Sequence, residues 1–239
     1  MNSNLTEIWV YLSASPLLHL TMTLVAYQIG MAVYRRTGMN PLVNPVLIAV
    51  AIVVGLLIAT ETDYTDYFDG AQFVHFLLGP ATVALAIPLY RQIDKVRRAS
   101  GAILTSIVMG SAVGSASAVG VAWILGGSMS SLLAIAPKSV TAPVAMGIAQ
   151  KLGGLPSLTA VLVIITGILG ASLGPYVLDL IRVRDWTARG LAIGTASHGI
   201  GTARAIQVNA AAGAFSGLAM GINALATAIL LPLVWRLFF

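Results

Sequence analysis

Cysteine is absent from the sequence, and both charge and aromatic side chains are scarce. Without cysteine there is no disulfide framework, no thiol nucleophile and no thiolate metal site. Charged residues make up 9% of the chain, against about 25% in an ordinary soluble domain, so a water-soluble globule is excluded. A hydrophobic content of 58% excludes a disordered chain as well. The 13 Lys and Arg residues give a net charge of +5, but they stand in short groups at the ends of apolar runs, and only 7% of residues are aromatic. That distribution suits membrane topology and argues against nucleic-acid binding.

Long charge-free sequence takes the place of what is missing. A bilayer core needs about 20 apolar residues per helix, and six intervals are long enough: Ile8 to Tyr34, Thr37 to Thr60, Gly70 to Tyr90, Ala99 to Pro137, Leu152 to Leu178 and Ala205 to Trp235. Ser139 to Gln150 and Gly190 to Ala203 are too short to cross as ordinary helices. The first interval is preceded by Asn2, Asn4 and Glu7 and by no Lys or Arg, so it reads as a retained span and not as a cleaved signal peptide.

Lys and Arg resist translocation and therefore mark the inner side. Arg35 and Arg36 define one inner loop, Arg91, Lys95, Arg97 and Arg98 a second, and Arg182, Arg184 and Arg189 a third. Glu61, Asp63, Asp66 and Asp69 form an outer loop between the first two. The N-terminus then lies outside, and Arg236 places the C-terminus inside. One span, about residues 99 to 126, leads out and another, about 156 to 178, leads back, so residues 127 to 155 start and finish on the outer side. A re-entrant hairpin dipping into the protein accounts for that stretch; the alternative is an outer loop lying on the surface.

Three segments align on a threonine: Gly79 to Ile87 around Thr82, Ser139 to Met146 around Thr141, and Gly199 to Ile206 around Thr202. Each joins a helix-breaking Gly or Pro to small apolar residues, chance likeness in an Ala-rich chain being the alternative. An apolar helix followed by a broken one occurs at about 43 to 60 then 71 to 90, and again at 156 to 178 then 188 to 209, with opposite starting sides. The chain thus reads as an all-α polytopic membrane protein, one transport domain over residues 1 to 239. Its repeat-like halves fall at about 16–98 and 130–239, with a spacer span at 99–126. Inverted repeats with broken helices are a recurring design of secondary transporters, which bind substrate near the midplane where helix ends present unpaired N–H groups.

The ionisable groups inside the apolar zone are Lys138, His198, Arg204, His75 and His19, with no Asp or Glu among them. Intramembrane cations without a protein counter-charge call for an anionic substrate. Arg204 suits bidentate carboxylate recognition and Lys138 point-charge attraction, although Lys138 could instead snorkel to the outer surface. His198, beside a break, could bind substrate or titrate with a coupled proton, or be a packed histidine. Thr82, Ser139, Thr141, Ser197 and Thr202 offer hydroxyls at the same breaks. His19 and His75 take only a structural reading, and Asn209 and Asn223 are candidates for interhelical hydrogen bonds. Gly126-Gly127-Ser128 is a poor nucleophile motif because nothing orients His198 as its base. Clustered His and carboxylate ligands are missing, so no metal and no cofactor is expected.

Leu78 to Tyr90 (Leu-Gly-Pro-Ala-Thr-Val-Ala-Leu-Ala-Ile-Pro-Leu-Tyr), Ala136 to Thr141 (Ala-Pro-Lys-Ser-Val-Thr) and Ala196 to Arg204 (Ala-Ser-His-Gly-Ile-Gly-Thr-Ala-Arg) resemble the signature stretches of the LrgB/CidB membrane protein family, and the likeness runs from about residue 12 onward. That family was first described as antiholin-like regulators of murein hydrolase export and includes the plastidial glycolate/glycerate translocator. The resemblance implies a multi-pass bacterial inner-membrane protein that moves small monocarboxylates such as pyruvate or glycolate. It further implies a fold similar to cation/proton antiporters and bile acid symporters, and a separate small LrgA/CidA-type membrane partner. A holin-like pore or regulator of cell lysis is the other function it implies. Self-association is left open.

Overall fold

The computed structural model describes residues 16–77, 80, 83, 84, 87 and 90–238. Thr82, much of the first repeated motif and the side chain of His75 lie outside the described residues. Every regular element among the described residues is an α-helix. The chain divides into two compact units, residues 1–84 and 85–239.

The first unit holds α1 (Pro16–Arg36), α2 (Pro45–Ala59) and α3 (Tyr64–Phe76), with α1 packed on both others. Helix α2 starts where Asn44 accepts hydrogen bonds from Val46 N (2.8 Å) and Leu47 N (3.3 Å) and Pro45 fills the first helical position. His19 is buried with its ring edge-on to Tyr67. Thr23 donates to the His19 carbonyl at 2.8 Å, which leaves Tyr67 to donate to Thr23 at 2.9 Å. These are packing roles.

The second unit holds α4 (Ile93–Arg98), α5 (Ser100–Ile124), α6 (Met129–Ile135), α7 (Ala142–Leu152), α8 (Pro156–Leu180), α9 (Trp186–Val208) and α10 (Ala210–Phe238). Across both units α1, α5, α8 and α10 are long and apolar enough to cross a membrane, and α2 is a shorter apolar helix of 15 residues. With large apolar side chains such as Trp123, Ile124, Val161 and Leu169 exposed along these helices, lipid is the solvent that fits them.

The middle of the stretch from 127 to 155 is buried, so it is not a loop lying on the surface. Leu132, Leu133, Ala134, Ala136, Val140, Ala145, Ile148 and Ala149 are all buried. Ser128 caps α6 by accepting from Ser131 N at 3.3 Å, which gives that serine a structural task. Gly153, at φ 85°, ends α7. A side chain added at Gly154 would fall 2.9 Å from Leu133 Cβ, so the exit from α7 returns to the entry through α6. The segment is a hairpin of two short helices.

Helix α9 is also a hairpin. His198 has φ 40° and ψ −133°, and the chain folds back there. In a straight helix residues 193 and 201 would stand about 12 Å apart, yet a side chain added at Gly201 would lie 2.8 Å from Ile193 Cγ2 and 3.2 Å from Ile193 O. A crevice between the limbs is lined by Trp186, Arg189 and Ile193 of one and by Gly201, Arg204, Ala205 and Val208 of the other. Helix α10 then runs parallel to the first limb, with Gly190 against Ala212 and Gly194 against Ser216, and antiparallel to the second, where Gly213 meets Ile206.

That reversal changes the topology. The sequence pairs residues 188 to 209 with 156 to 178 as a broken helix after an apolar one, and takes the C-terminus as inside from Arg236. Helix α9 does not cross; both its ends lie on one side. Helix α10 runs parallel to α5, since Ile103 and Ile107 pack with Phe215 and Ala219 while Ser111 bonds Thr227 further along both helices. The end of α10 therefore lies on the face opposite the Arg182 to Arg189 loop. Asn209 is corrected too: its side chain accepts from Ala211 N (2.9 Å) and Ala212 N (3.1 Å), capping α10, with no bond to another helix among the described residues.

Candidate functional site

The tips of the two hairpins meet inside the second unit. A cavity of about 820 Å³ opens beside them, bounded by α5, the α6–α7 turn, α8 and the first limb of α9. Lys138, Ser139, Gly114 and Ser197 stand at its tip end, and Ser106, Val177 and Ala188 at its other end. Ser106 is near the start of α5, Val177 near the end of α8 and Ala188 near the start of α9. The cavity thus runs from the hairpin tips toward the face that carries Arg182, Arg184 and Arg189. No Asp or Glu is among its lining residues.

Each tip is built by a local sequence feature. Thr141 and Pro143 start α7, Thr141 being the N-cap residue with no side-chain cap bond, so the preceding turn carries Lys138 and Ser139 clear of either helix. Lys138 Nζ donates to Ser139 Oγ at 3.1 Å. At the other tip α8 presents glycine: a side chain at Gly170 would collide with Ser197 Oγ, and one at Gly167 would lie 2.7 Å from His198 Cε1. Only a residue without Cβ lets the tip of α9 sit so close. Ser197 is fully buried, and its hydroxyl has no hydrogen-bond partner among the described residues. A buried hydroxyl without a partner costs roughly 1–3 kcal/mol, and a polar ligand in the cavity would remove that cost.

His198 is spent differently. Its Nε2 lies 2.9 Å from Val163 O, and since a carbonyl only accepts, Nε2 carries the hydrogen. The imidazole fastens the tip to α8. Thr202 donates to the His198 carbonyl at 2.7 Å and pairs with Ser216 Oγ at 2.9 Å, tying the second limb to α10. Arg204 is six residues beyond the reversal, about 9 Å along the limb. It lines the separate crevice of about 130 Å³ together with Arg189 and Trp186, and it is engaged within the molecule.

The structure therefore gathers Lys138, Ser139 and Ser197 at one cavity, with Thr141 at the adjoining cap. His198 and Thr202 face the packing around the second tip, and Arg204 faces the inner crevice. Asn223 matters more than its sequence suggests. Its Nδ2 donates to Ser139 O at 3.1 Å and to Thr195 O at 3.0 Å, one carbonyl from each hairpin. Thr227 donates to Asn223 Oδ1 at 3.4 Å and is joined to Ser111 at 2.9 Å. An Asn in an apolar run was the available signal; which carbonyls it would meet was not. Among the described residues no group of three His, Asp or Glu side chains could hold a metal ion.

A large cavity beside two hairpin tips, walled by apolar helices, belongs to an all-α multi-pass membrane protein. The LrgB-like family model matches residues 23–237, and the chain belongs to that family. It is 37% identical over 217 residues to the uncharacterized protein YxaC of Bacillus subtilis, covering 91% of this chain and 94% of that one. It is 32% identical over 229 residues to the holin-like protein CidB of Staphylococcus epidermidis, covering 96% and 99%. With the antiholin-like protein LrgB of Bacillus mycoides it shares 30% identity over 219 residues, covering 92% and 95%. No solved structure matches the chain.

Proposed function

We propose that the chain binds a small carboxylate, such as pyruvate, glycolate or a similar hydroxy or keto acid, at Lys138 and Ser197 and carries it across the bilayer by alternating access. The observation that carries this is the cavity tip. A lysine and an unpartnered buried hydroxyl line the same cavity, with no carboxylate among the lining residues. An anion that enters supplies both the missing charge and the missing acceptor. The remaining walls are apolar, which suits the carbon end of a short acid. Helix α5 with the α6–α7 hairpin, and α8 with the α9 hairpin, pair as two span-plus-hairpin sets entered from opposite faces, which makes α5 part of a repeat where the sequence reads it as a spacer; that arrangement lets one site be exposed in turn to either side.

The names of the relatives favour the coarser second function, a holin-like or antiholin-like membrane component. The same names motivate an LrgA/CidA-type small membrane protein as partner. Purified protein in liposomes separates the two functions. Carrier action predicts saturable uptake of labelled pyruvate or glycolate with no leak of an unrelated dye. Dye leak, or no uptake with and without the partner, overturns it. The family points to the bacterial inner membrane; applied to the basic loop Arg182 to Arg189, the positive-inside rule makes the cavity open inward and puts the C-terminus outside. A Leu237→Cys variant of this cysteine-free chain should then react with an impermeant thiol reagent added to intact cells; reaction only after lysis would reverse the orientation.

A further inference from the structure

We infer that Asn223 is the latch that closes the cavity toward the face opposite the basic loop, by holding the two hairpin tips with one amide. This rests on the alternating-access function above and names what controls its gate. An Asn side-chain NH₂ has two hydrogens and no more. Here one goes to Ser139 O in the α6–α7 turn and the other to Thr195 O, just before the reversal of α9. Asn223 is fully buried on α10, an element that belongs to neither hairpin. Its own carbonyl is held by Thr227, which Ser111 of α5 holds in turn.

The geometry gives the amide a task beyond packing. Thr195 O belongs to the last turn before the chain reverses at His198, where the helical ladder is interrupted. Ser139 lies in a turn between two helices. Both carbonyls belong to the chain that forms the tips, Ser139 O in the turn and Thr195 O in the last turn before the reversal, and in lipid such groups must be satisfied by protein. Asn223 satisfies both at once, so neither tip can move away from α10 without giving up one donor. Lys138, Ser139 and Ser197 of the two tips line one end of the cavity, so a latch that holds the tips would bar passage beyond that end. When one hairpin swings, one hydrogen bond breaks while the other keeps the remaining tip in place, which opens one face at a time.

The natural absence of cysteine makes the test direct. Cysteines are placed at Ala142, beyond the first tip, and at Ala196, beside the second, each labelled with a nitroxide, and the distance distribution between labels is measured on the full chain in lipid nanodiscs without solute. The otherwise unaltered chain should give one narrow population. Asn223→Ala removes both donors, and Asn223→Asp keeps the volume while placing an acceptor opposite two acceptors. Each should add a second, longer population. Ser216→Ala, which removes a different bond between α9 and α10 and leaves both Asn223 donors in place, should leave the distribution narrow. A distribution unchanged by both Asn223 variants overturns the latch, as does equal broadening in Ser216→Ala, which would mean only that α10 had loosened. Because no solute is present, failure here is distinct from failure of carboxylate uptake.

Discussion

Between Ile135 and Ala142 the first hairpin spends residues 136 to 141 on its reversal, among them Pro137 and none with positive φ, whereas the second turns at His198 alone, at φ 40°. The limbs differ in the same sense. In α7, Gly147 has open space where a side chain would stand, while in α9 Gly190 and Gly194 touch the backbone of α10. A long turn leaves room for a long cationic side chain, and the first tip holds Lys138. A tight turn on glycine limbs brings backbone against backbone, and the second tip holds small hydroxyls and a fastened imidazole. Charge is presented by the loose hairpin, and the close-packed one supplies the wall.

The largest expected contrast is steric. Gly194→Ala drives a Cβ into the Ser216 carbonyl, and neither backbone can yield without moving a whole limb. Overpacking of this kind costs about 1–3 kcal/mol. Gly147→Ala meets no neighbour and should stabilise α7 by about 0.5–1 kcal/mol, because alanine is the better helix former. Thermal unfolding of the solubilised protein should therefore move in opposite directions for the two variants. Equal losses would mean that both limbs are tightly packed and that the contrast between the hairpins is unfounded.

Next in size is the contrast between the two cations. Lys138 lines the large cavity and Arg204 the inner crevice. A charge-assisted hydrogen bond contributes roughly 1.5–3 kcal/mol, so Lys138→Gln should lower carboxylate uptake by about tenfold or more. Arg204→Gln, remote from the tip, should leave the apparent affinity within about twofold, a factor worth well under 1 kcal/mol. A larger loss of affinity at Arg204 than at Lys138 would move the site to the crevice.

How far the sequence carries is clearest at these same residues. The breaks are legible, because Pro137, Pro143, Gly199 and Gly201 are poor helix interiors wherever they occur. The two intervals too short to cross, Ser139 to Gln150 and Gly190 to Ala203, fall within the hairpins. What the sequence does not carry is the angle at a break. A kinked crossing helix and a hairpin have the same residues, and they differ only in whether Ile193 meets Gly201, a contact eight positions apart that no local propensity encodes. From that one angle follow the depth of Arg204, which a crossing helix would place near the midplane, and the side on which α10 ends. Lys138 escapes the difficulty because its turn begins and ends on one side whatever the angle. The pairing of Ser139 and Thr195 through Asn223 joins residues 84 and 28 positions away from it, beyond any motif.

The smallest predicted effect tests the tight turn itself. His198 combines a side chain that fastens the tip with a backbone conformation that costs a residue bearing a Cβ roughly 1–3 kcal/mol. His198→Ala and His198→Gly both delete the bond to Val163 O, so their difference isolates the backbone. Glycine adopts positive φ freely but loses about 0.5–1 kcal/mol through the greater freedom of its unfolded chain. The net expectation is that the glycine variant is the more stable of the two by about 1 kcal/mol, read as a difference in unfolding midpoint in detergent. At the first tip, where no residue has positive φ, Ser139→Gly should show no such advantage over Ser139→Ala. If glycine is no better than alanine at 198, the chain there relaxes once the imidazole is gone, and it is the side chain, more than the limbs, that holds α9 in its hairpin.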